Sequence, residues 1–228
     1  MRLYVVGLGP GDEELVTVRA VKALGRSRVI FIPYSTGTNR SLAEGIVRRY
    51  APGDARLVLL GFPMSRDVPG SELRRLGEAI CREAGGEDSA FVTLGDPTLY
   101  STFFRVRDWI PCEVEVEVIP GVSSITACAS RLGAPLAVGD DSIAIIPASR
   151  LDVLGRARDL FEAIVVLKAS ENLGKVVRLL REAGFTLFYA RRCFMGGEEI
   201  LRLGDGVVDR RDYFSMVIAL RRGVRKPG

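Results

Sequence analysis

The chain reads as an α/β protein of two domains, divided at residues 1–120 and 121–228. Short apolar, β-branched runs alternate with amphipathic stretches through the first half. Pro120-Gly121 then breaks the pattern, and a second alternating series begins near Ser142. Almost half of the 228 residues are hydrophobic (47%), enough for a full core in one large domain or two ordinary ones.

Leu3 to Val6 is the first expected strand, and Thr17 to Leu24 the first helix, with Val18, Val21 and Leu24 on one side. Val29 to Ile32 forms a second strand that Pro33 should end. A polar loop over 34–39 precedes a helix from Ser41 to Tyr50, and Leu57 to Leu60 is a third strand. A long mobile loop is expected from Met64 to Ser71, then a helix over 72–84. Phe91 to Leu94 is a buried strand, and Glu113 to Ile119 alternates acid and valine as a strand with one wet face. Val122 to Leu132 is a helix rich in small residues. The second series runs strand 143–146, helix 151–162, strand 164–167, helix 172–183 and strand 185–190. Glu199 to Leu203 and Phe214 to Leu220 read as a closing pair of strands.

The sequence contains no histidine, which excludes Ser-His-Asp and Cys-His catalysis and histidine metal sites. Cys81, Cys112, Cys128 and Cys193 form no Cys-x-x-Cys pair, so reduced cytosolic thiols are expected rather than zinc. No apolar run approaches the ~18 residues of a membrane span, and MRLYVVGLG followed by acids is no signal peptide. A cytoplasmic protein is expected. Arginine dominates the cations, a residue type suited to multidentate carboxylate or phosphate binding, although codon bias produces the same excess. The net charge of +4 is too mild to imply nucleic acid.

The most informative stretch is 90–106, AFVTLGDPTLYSTFFRV. Gly95 permits an unusual backbone, Asp96 caps helices, Pro97 suits a first helical position, and a helix is expected from Thr98. Strand, glycine turn and helix start would set backbone N–H groups at the carboxyl end of a sheet, where open α/β folds bind ligands. The same residues would also make a well-capped turn with no ligand. Gly7-Leu8-Gly9-Pro10-Gly11-Asp12 fails the dinucleotide fingerprint, because Asp12 stands where a third glycine belongs. The acids Asp12, Glu13 and Glu14 would repel a pyrophosphate, so a ligand there would be neutral or cationic, and a glycine-rich turn with no ligand role fits the residues equally well. Ser123 and Ser124 stand at a helix entrance, where simple capping explains them equally well.

Four stretches in order, VVGLGPGD with TVRAVKAL, LGDPTLYSTF, PGVSSITACASRLGAPLA and DDSIAIIPA, resemble the tetrapyrrole methylase superfamily over nearly the whole chain. The resemblance implies the tetrapyrrole methylase fold, two α/β domains with S-adenosyl-L-methionine in the cleft between them, and a homodimer. It places cofactor contacts at Pro10, Gly95, Asp96, Pro97, Leu99, Tyr100, Ser101, Thr102, Ser123, Ser124, Lys168, Arg192, Ser215 and Met216. GDPTLYSTF followed by PGVSSITA is most similar to the members that methylate C-20 of precorrin-2 or cobalt-factor II in cobalamin biosynthesis. A sulfonium cofactor suits an acidic loop, and methyl transfer needs placement more than a protein nucleophile, so the lack of histidine is no obstacle. Tyr100 and nearby acids are candidate acceptors for the proton lost after methylation. The carboxylate-rich substrate calls for cations, and Arg40, Arg66, Arg105 and Arg107 are the candidate anchors. Rival readings are another methylase of the superfamily, such as diphthine synthase, or a non-catalytic ligand-binding α/β protein.

Overall fold

A computed structural model describes residues 1–35, 40–63, 68–204 and 212–221. The chain forms two compact units, Met1–Ser124 and Ile125–Gly228. Residues 121–124, beyond the boundary read at Pro120, belong to the first unit. They are tied there because the Thr17 hydroxyl donates to the Pro120 carbonyl and the Gly121 N–H donates to Asp96.

The first unit is built on a parallel sheet of β1 (Arg2–Gly7), β2 (Val29–Ser35), β3 (Arg56–Phe62), β4 (Ser89–Thr93) and β5 (Glu115–Ile119), in the order β3-β2-β4-β1-β5. Strands β1, β2 and β4 are largely apolar because both faces are covered, whereas the edge strand β5 alternates and leaves Glu115 and Val118 exposed. On β1, Tyr4 and Val6 face α1 (Val18–Leu24) and α2 (Arg40–Tyr50). Leu3 and Val5 face the other way, toward α3 (Gly70–Ala84) and α4 (Phe103–Val106). Period-two alternation thus sorts one strand between two cores. Thr17 starts α1 by accepting from the Ala20 N–H, as its type predicts.

The second unit holds β6 (Ile143–Pro147), β7 (Ala163–Leu167), β8 (Thr186–Arg191), β9 (Glu199–Arg202) and β10 (Ser215–Leu220), in the order β6-β7-β10-β8-β9. Only β6 and β7 pair in parallel; β10 runs antiparallel between β7 and β8, and β9 antiparallel along β8. One face packs on α6 (Leu151–Ala157) and α7 (Leu173–Glu182). The other face packs on α5 (Ser124–Leu132) through Ile125 and Cys128.

Several expectations are corrected. β2 runs through Pro33 to Ser35 because beyond Phe31 it pairs only with β3, so the missing proline N–H leaves no ladder bond unmade. No helix starts at Thr98: Tyr100 takes a left-handed φ of 57°, and α4 begins only at Phe103. The two late strands are not a pair, since β8 and β10 are neighbours and β9 lies on the outer side of β8. The cysteines are not free thiols: Cys81 is bonded to Cys112 and Cys128 to Cys193. Their partners lie 31 and 65 residues apart, so linear spacing could not reveal them. The expected loop at 64–71 is described only from residue 68, and α3 already begins at Gly70. Among the described residues no helix is long and apolar enough to cross a membrane.

Candidate functional site

In the first unit the carboxyl ends of β4, β1 and β5 meet through glycine. A Cβ on Gly7 would lie 2.6 Å from the Gly121 nitrogen and 2.7 Å from the Gly95 oxygen, and one on Gly121 would collide with that same oxygen. No side chain fits there, so three backbones close on one another. The chain leaving β1 also pairs with the chain leaving β4. Leu8 N–H donates to Thr93 O at 2.8 Å, and Gly9 and Gly95 exchange bonds at 3.3 and 2.6 Å. Both glycines are left-handed, with φ of 76° and 74°. A Cβ on Gly95 would meet nothing within 4 Å, so its outer side is open for a ligand to approach the backbone.

Asp96 knits this edge together. Oδ1 accepts from the Thr98 N–H at 2.8 Å and from the Thr98 hydroxyl, and Oδ2 accepts from the Gly121 N–H at 3.0 Å. Burial pushes the Asp96 carboxyl up, but the bonds from Thr98 and Gly121 outweigh it and hold it below its ordinary 3.8. Asp96 therefore caps a turn rather than a helix. Segments 7–12, 95–102 and 121–124 contain no lysine or arginine but carry Asp12, Asp96 and several hydroxyls. Such a donor set suits a neutral or cationic ligand and would repel a polyphosphate.

Of the sequence-derived candidates, Pro10, Gly95, Asp96, Pro97, Ser123 and Ser124 lie along this edge, with Pro10 and Pro97 buried. Leu99 and Tyr100 are exposed, at 38% and 56%. The Ser101 hydroxyl accepts from the Phe103 N–H at 3.1 Å, and Thr102 immediately precedes α4. Arg105 is half-buried on α4 and Arg107 exposed just after it. Arg40 is the first residue of α2, and nothing of its side chain is described; Arg66 lies outside the described residues. Sequence reasoning missed Gly7, Gly9 and Gly121 as close-packing positions. Their signal was the same glycine-rich loop and Pro-Gly break that were read as turns.

In the second unit, Lys168, Arg192, Ser215 and Met216 come together at one end of the sheet. Lys168 follows β7 and Arg192 follows β8, while β10 starts with Ser215 opposite Arg191 and Met216 opposite Leu167 and Ala190. Lys168 and Arg192 are both left-handed, with φ of 55° and 49°. Such a conformation costs about 1–2 kcal/mol for a residue with a Cβ and persists where neighbours enforce it. The Lys168 ammonium sits 5.9 Å from the centre of the Tyr213 ring. Ser215 is buried and its hydroxyl donates to the Asp212 carbonyl at 2.6 Å. Met216 is buried in the sheet. Asp212 was not among the candidates, and nothing in its local sequence distinguishes it.

The turn after β8 is held from several sides. Cys193 is bonded to Cys128 of α5. Glu198 pairs with Arg131 of α5 at 2.8 Å and accepts from the Phe194 N–H at 2.6 Å, and the Arg131 guanidinium stands 4.6 Å over the Phe194 ring. The ion pair with Arg131 comes first in holding the Glu198 carboxyl below its ordinary value.

Residues 2–203 match the family model described as Tetrapyrrole (Corrin/Porphyrin) Methylases. A precorrin-2 C(20)-methyltransferase of Sinorhizobium sp is 31% identical over 95% of this chain and 94% of its own length. A probable cobalt-precorrin-2 C(20)-methyltransferase of Methanocaldococcus jannaschii is 33% identical over 96% of each chain. Among solved structures, a cobalt precorrin-4 methyltransferase matches with a TM-score of 0.74 at 22% identity, over 96% of this chain and 94% of that one. A uroporphyrin-III C-methyltransferase of Thermus thermophilus, complexed with S-adenosyl homocysteine, matches with a TM-score of 0.70 at 22% identity, over 96% and 92%. These two likenesses concern the fold.

Proposed function

Since the chain belongs to the tetrapyrrole methylases, we propose that it transfers a methyl group from S-adenosyl-L-methionine to C-20 of precorrin-2 or its cobalt-containing form, in corrin ring synthesis. The observation that carries the cofactor reading is the edge formed by Gly7, Gly9, Gly95, Asp96 and Gly121. It offers open backbone, hydroxyls and a carboxylate, and segments 7–12, 95–102 and 121–124 supply no lysine or arginine of their own. When bound, S-adenosyl-L-methionine supplies a methyl group already activated on a cationic sulfonium.

The chain's own task is then placement. Gly95 admits the ligand to the backbone, and Asp96 fixes the turn and contributes negative charge beside it. Lys168, Arg192, Ser215 and Met216 are proposed to hold the adenine side. Arg105 and Arg107, with Arg40 and Arg66, are proposed to anchor the substrate's carboxylates, and anchoring selects the carbon presented for attack. Tyr100, exposed beside the glycine turn, is a proposed proton acceptor. Val138, Ile143 and Ile145, exposed on the second unit, support a homodimer by offering a second copy apolar area to bury.

The direct test supplies carbon-13-methyl S-adenosylmethionine with precorrin-2, metal-free and cobalt-loaded in parallel, and locates the label by NMR. A single label on C-20 is expected, and a label on a ring carbon overturns the regiochemistry. Calorimetry on Gly95→Val tests the cofactor turn separately. Loss of S-adenosylhomocysteine binding with native circular dichroism is expected, and unchanged binding would make the turn purely structural.

A further inference from the structure

We propose that Asp212 is a positioning residue, which holds the turn after β8 in the form that receives the cofactor. The proposal rests on the reading above that Arg192 and Ser215 serve the cofactor. The Asp212 side chain is only 9% exposed, yet it is charged and surrounded by partners. Oδ2 accepts from Arg192 Nε at 2.7 Å and lies 3.6 Å from Arg191 Nη1. Oδ1 accepts from the Phe214 N–H at 2.9 Å, and the Asp212 carbonyl accepts from the Ser215 hydroxyl at 2.6 Å.

Two consecutive residues of a strand point to opposite faces, so one carboxylate cannot normally meet both. Here it does, because Arg192 has left the strand for a left-handed conformation at φ 49°. The relation works in both directions: an ion pair that requires the left-handed turn also favours it. The Arg192 N–H donates to the Phe214 carbonyl at 2.9 Å, and the Met195 N–H donates to the Arg192 carbonyl at 2.9 Å. Arg191 has a second acid in Glu199 at 3.0 Å, whereas the pairing of Arg192 described here is to Asp212. Asp212 thereby links the start of β10 to the turn after β8, joining two stretches that carry proposed cofactor residues. Its hydrogen bonds and ion pairs run to those stretches.

The test is calorimetric titration of the full chain with S-adenosylhomocysteine, together with steady-state kinetics. Asp212→Asn keeps an acceptor for the Phe214 N–H but removes the charge that holds Arg192. Affinity should fall about tenfold, about 1.4 kcal/mol. KM for the cofactor should rise by the same factor, while kcat at saturating cofactor changes much less. Arg192→Ala should show a comparable loss, and the double variant should lose little more than either single one. Parental affinity in Asp212→Asn, or fully additive losses in the double variant, overturns the positioning role even if Arg192→Ala still weakens binding. If Arg192→Ala and Asp212→Asn both bind like the parent, the cofactor reading of this turn fails, and the proposal with it. Should Asp212→Asn not fold, Asp212→Glu keeps the charge but displaces the carboxylate by one methylene. Several-fold weaker binding with native circular dichroism is then expected, and unchanged binding overturns the proposal.

Discussion

The Gly121 N–H donates to the Asp96 carboxylate at 3.0 Å, so the chain leaving β5 is anchored to the turn leaving β4. A single side chain therefore orders two of the loops that form the proposed cofactor edge. Asp96 also accepts twice from Thr98, and all three bonds favour its ionised form.

That dependence has a sign. The folded-state pKa of Asp96 lies below its ordinary 3.8, so its contribution to stability is fully present above that value. It is lost as pH falls through the folded-state value. Asp96→Asn should be less stable than the parent near neutral pH, and the gap should narrow as pH drops below about 4. Denaturant unfolding of both proteins over that range measures it; a gap independent of pH would detach the network from the charge.

Gly121→Ala places a methyl against the Gly95 carbonyl and the Gly7 backbone. A loss of about 2–3 kcal/mol is expected, since backbone rather than a flexible side chain must move. Gly155→Ala, inside α6 with nothing within 4 Å of the added carbon, should gain about 0.5–1 kcal/mol. Urea unfolding of the pair separates a packing demand from a general effect of glycine replacement.

Reduction of the disulfides should lower stability. Closing loops of 31 and 65 residues restricts the unfolded chain by about 4 kcal/mol each on entropic grounds, the longer loop by about 0.7 kcal/mol more. Paired Cys→Ser substitution at 81/112 and at 128/193 should each depress the melting temperature by roughly 10 °C. Adding a dithiol should move the parent in the same direction and leave the four-fold Ser variant unmoved.

If arginines anchor the substrate, its affinity should fall as salt rises, because exposed charges are screened beyond about 10 Å at 0.1 M. Cofactor affinity should respond less, given an edge in 7–12, 95–102 and 121–124 without Lys or Arg. Titration of each ligand at two salt concentrations decides it, and equal slopes would count against arginine anchoring.

Much of this was legible in the sequence for physical reasons. Strand β1 and helix α1 announce themselves by apolar runs and a threonine cap, and Gly95-Asp96-Pro97 marks a turn by residue chemistry alone. What escaped depends on contacts between distant residues. The left-handed Tyr100, which delays α4 to Phe103, follows no local rule. The insertion of β10 between β7 and β8 is a choice of pairing, invisible to periodicity. Cys128 and Cys193 meet only because α5 covers the sheet face beside the end of β8. Asp212 has no motif, and its partners Arg191 and Arg192 lie some twenty residues away.

The packing of Gly7, Gly95 and Gly121 also bears on how this chain can vary. A crowded side chain is ordinarily relieved by shrinking its neighbour, which is how second-site suppressors arise. Here a carbon added at Gly7 or at Gly121 would meet main-chain atoms of the other and of Gly95, and a main chain has nothing to shrink. A selection for function after randomising Gly7 and Gly121 together should therefore recover glycine at both, with no compensating pair. Around this point the sheet is closed to gradual substitution, and diversification among related enzymes must proceed through residues further out along the same loops.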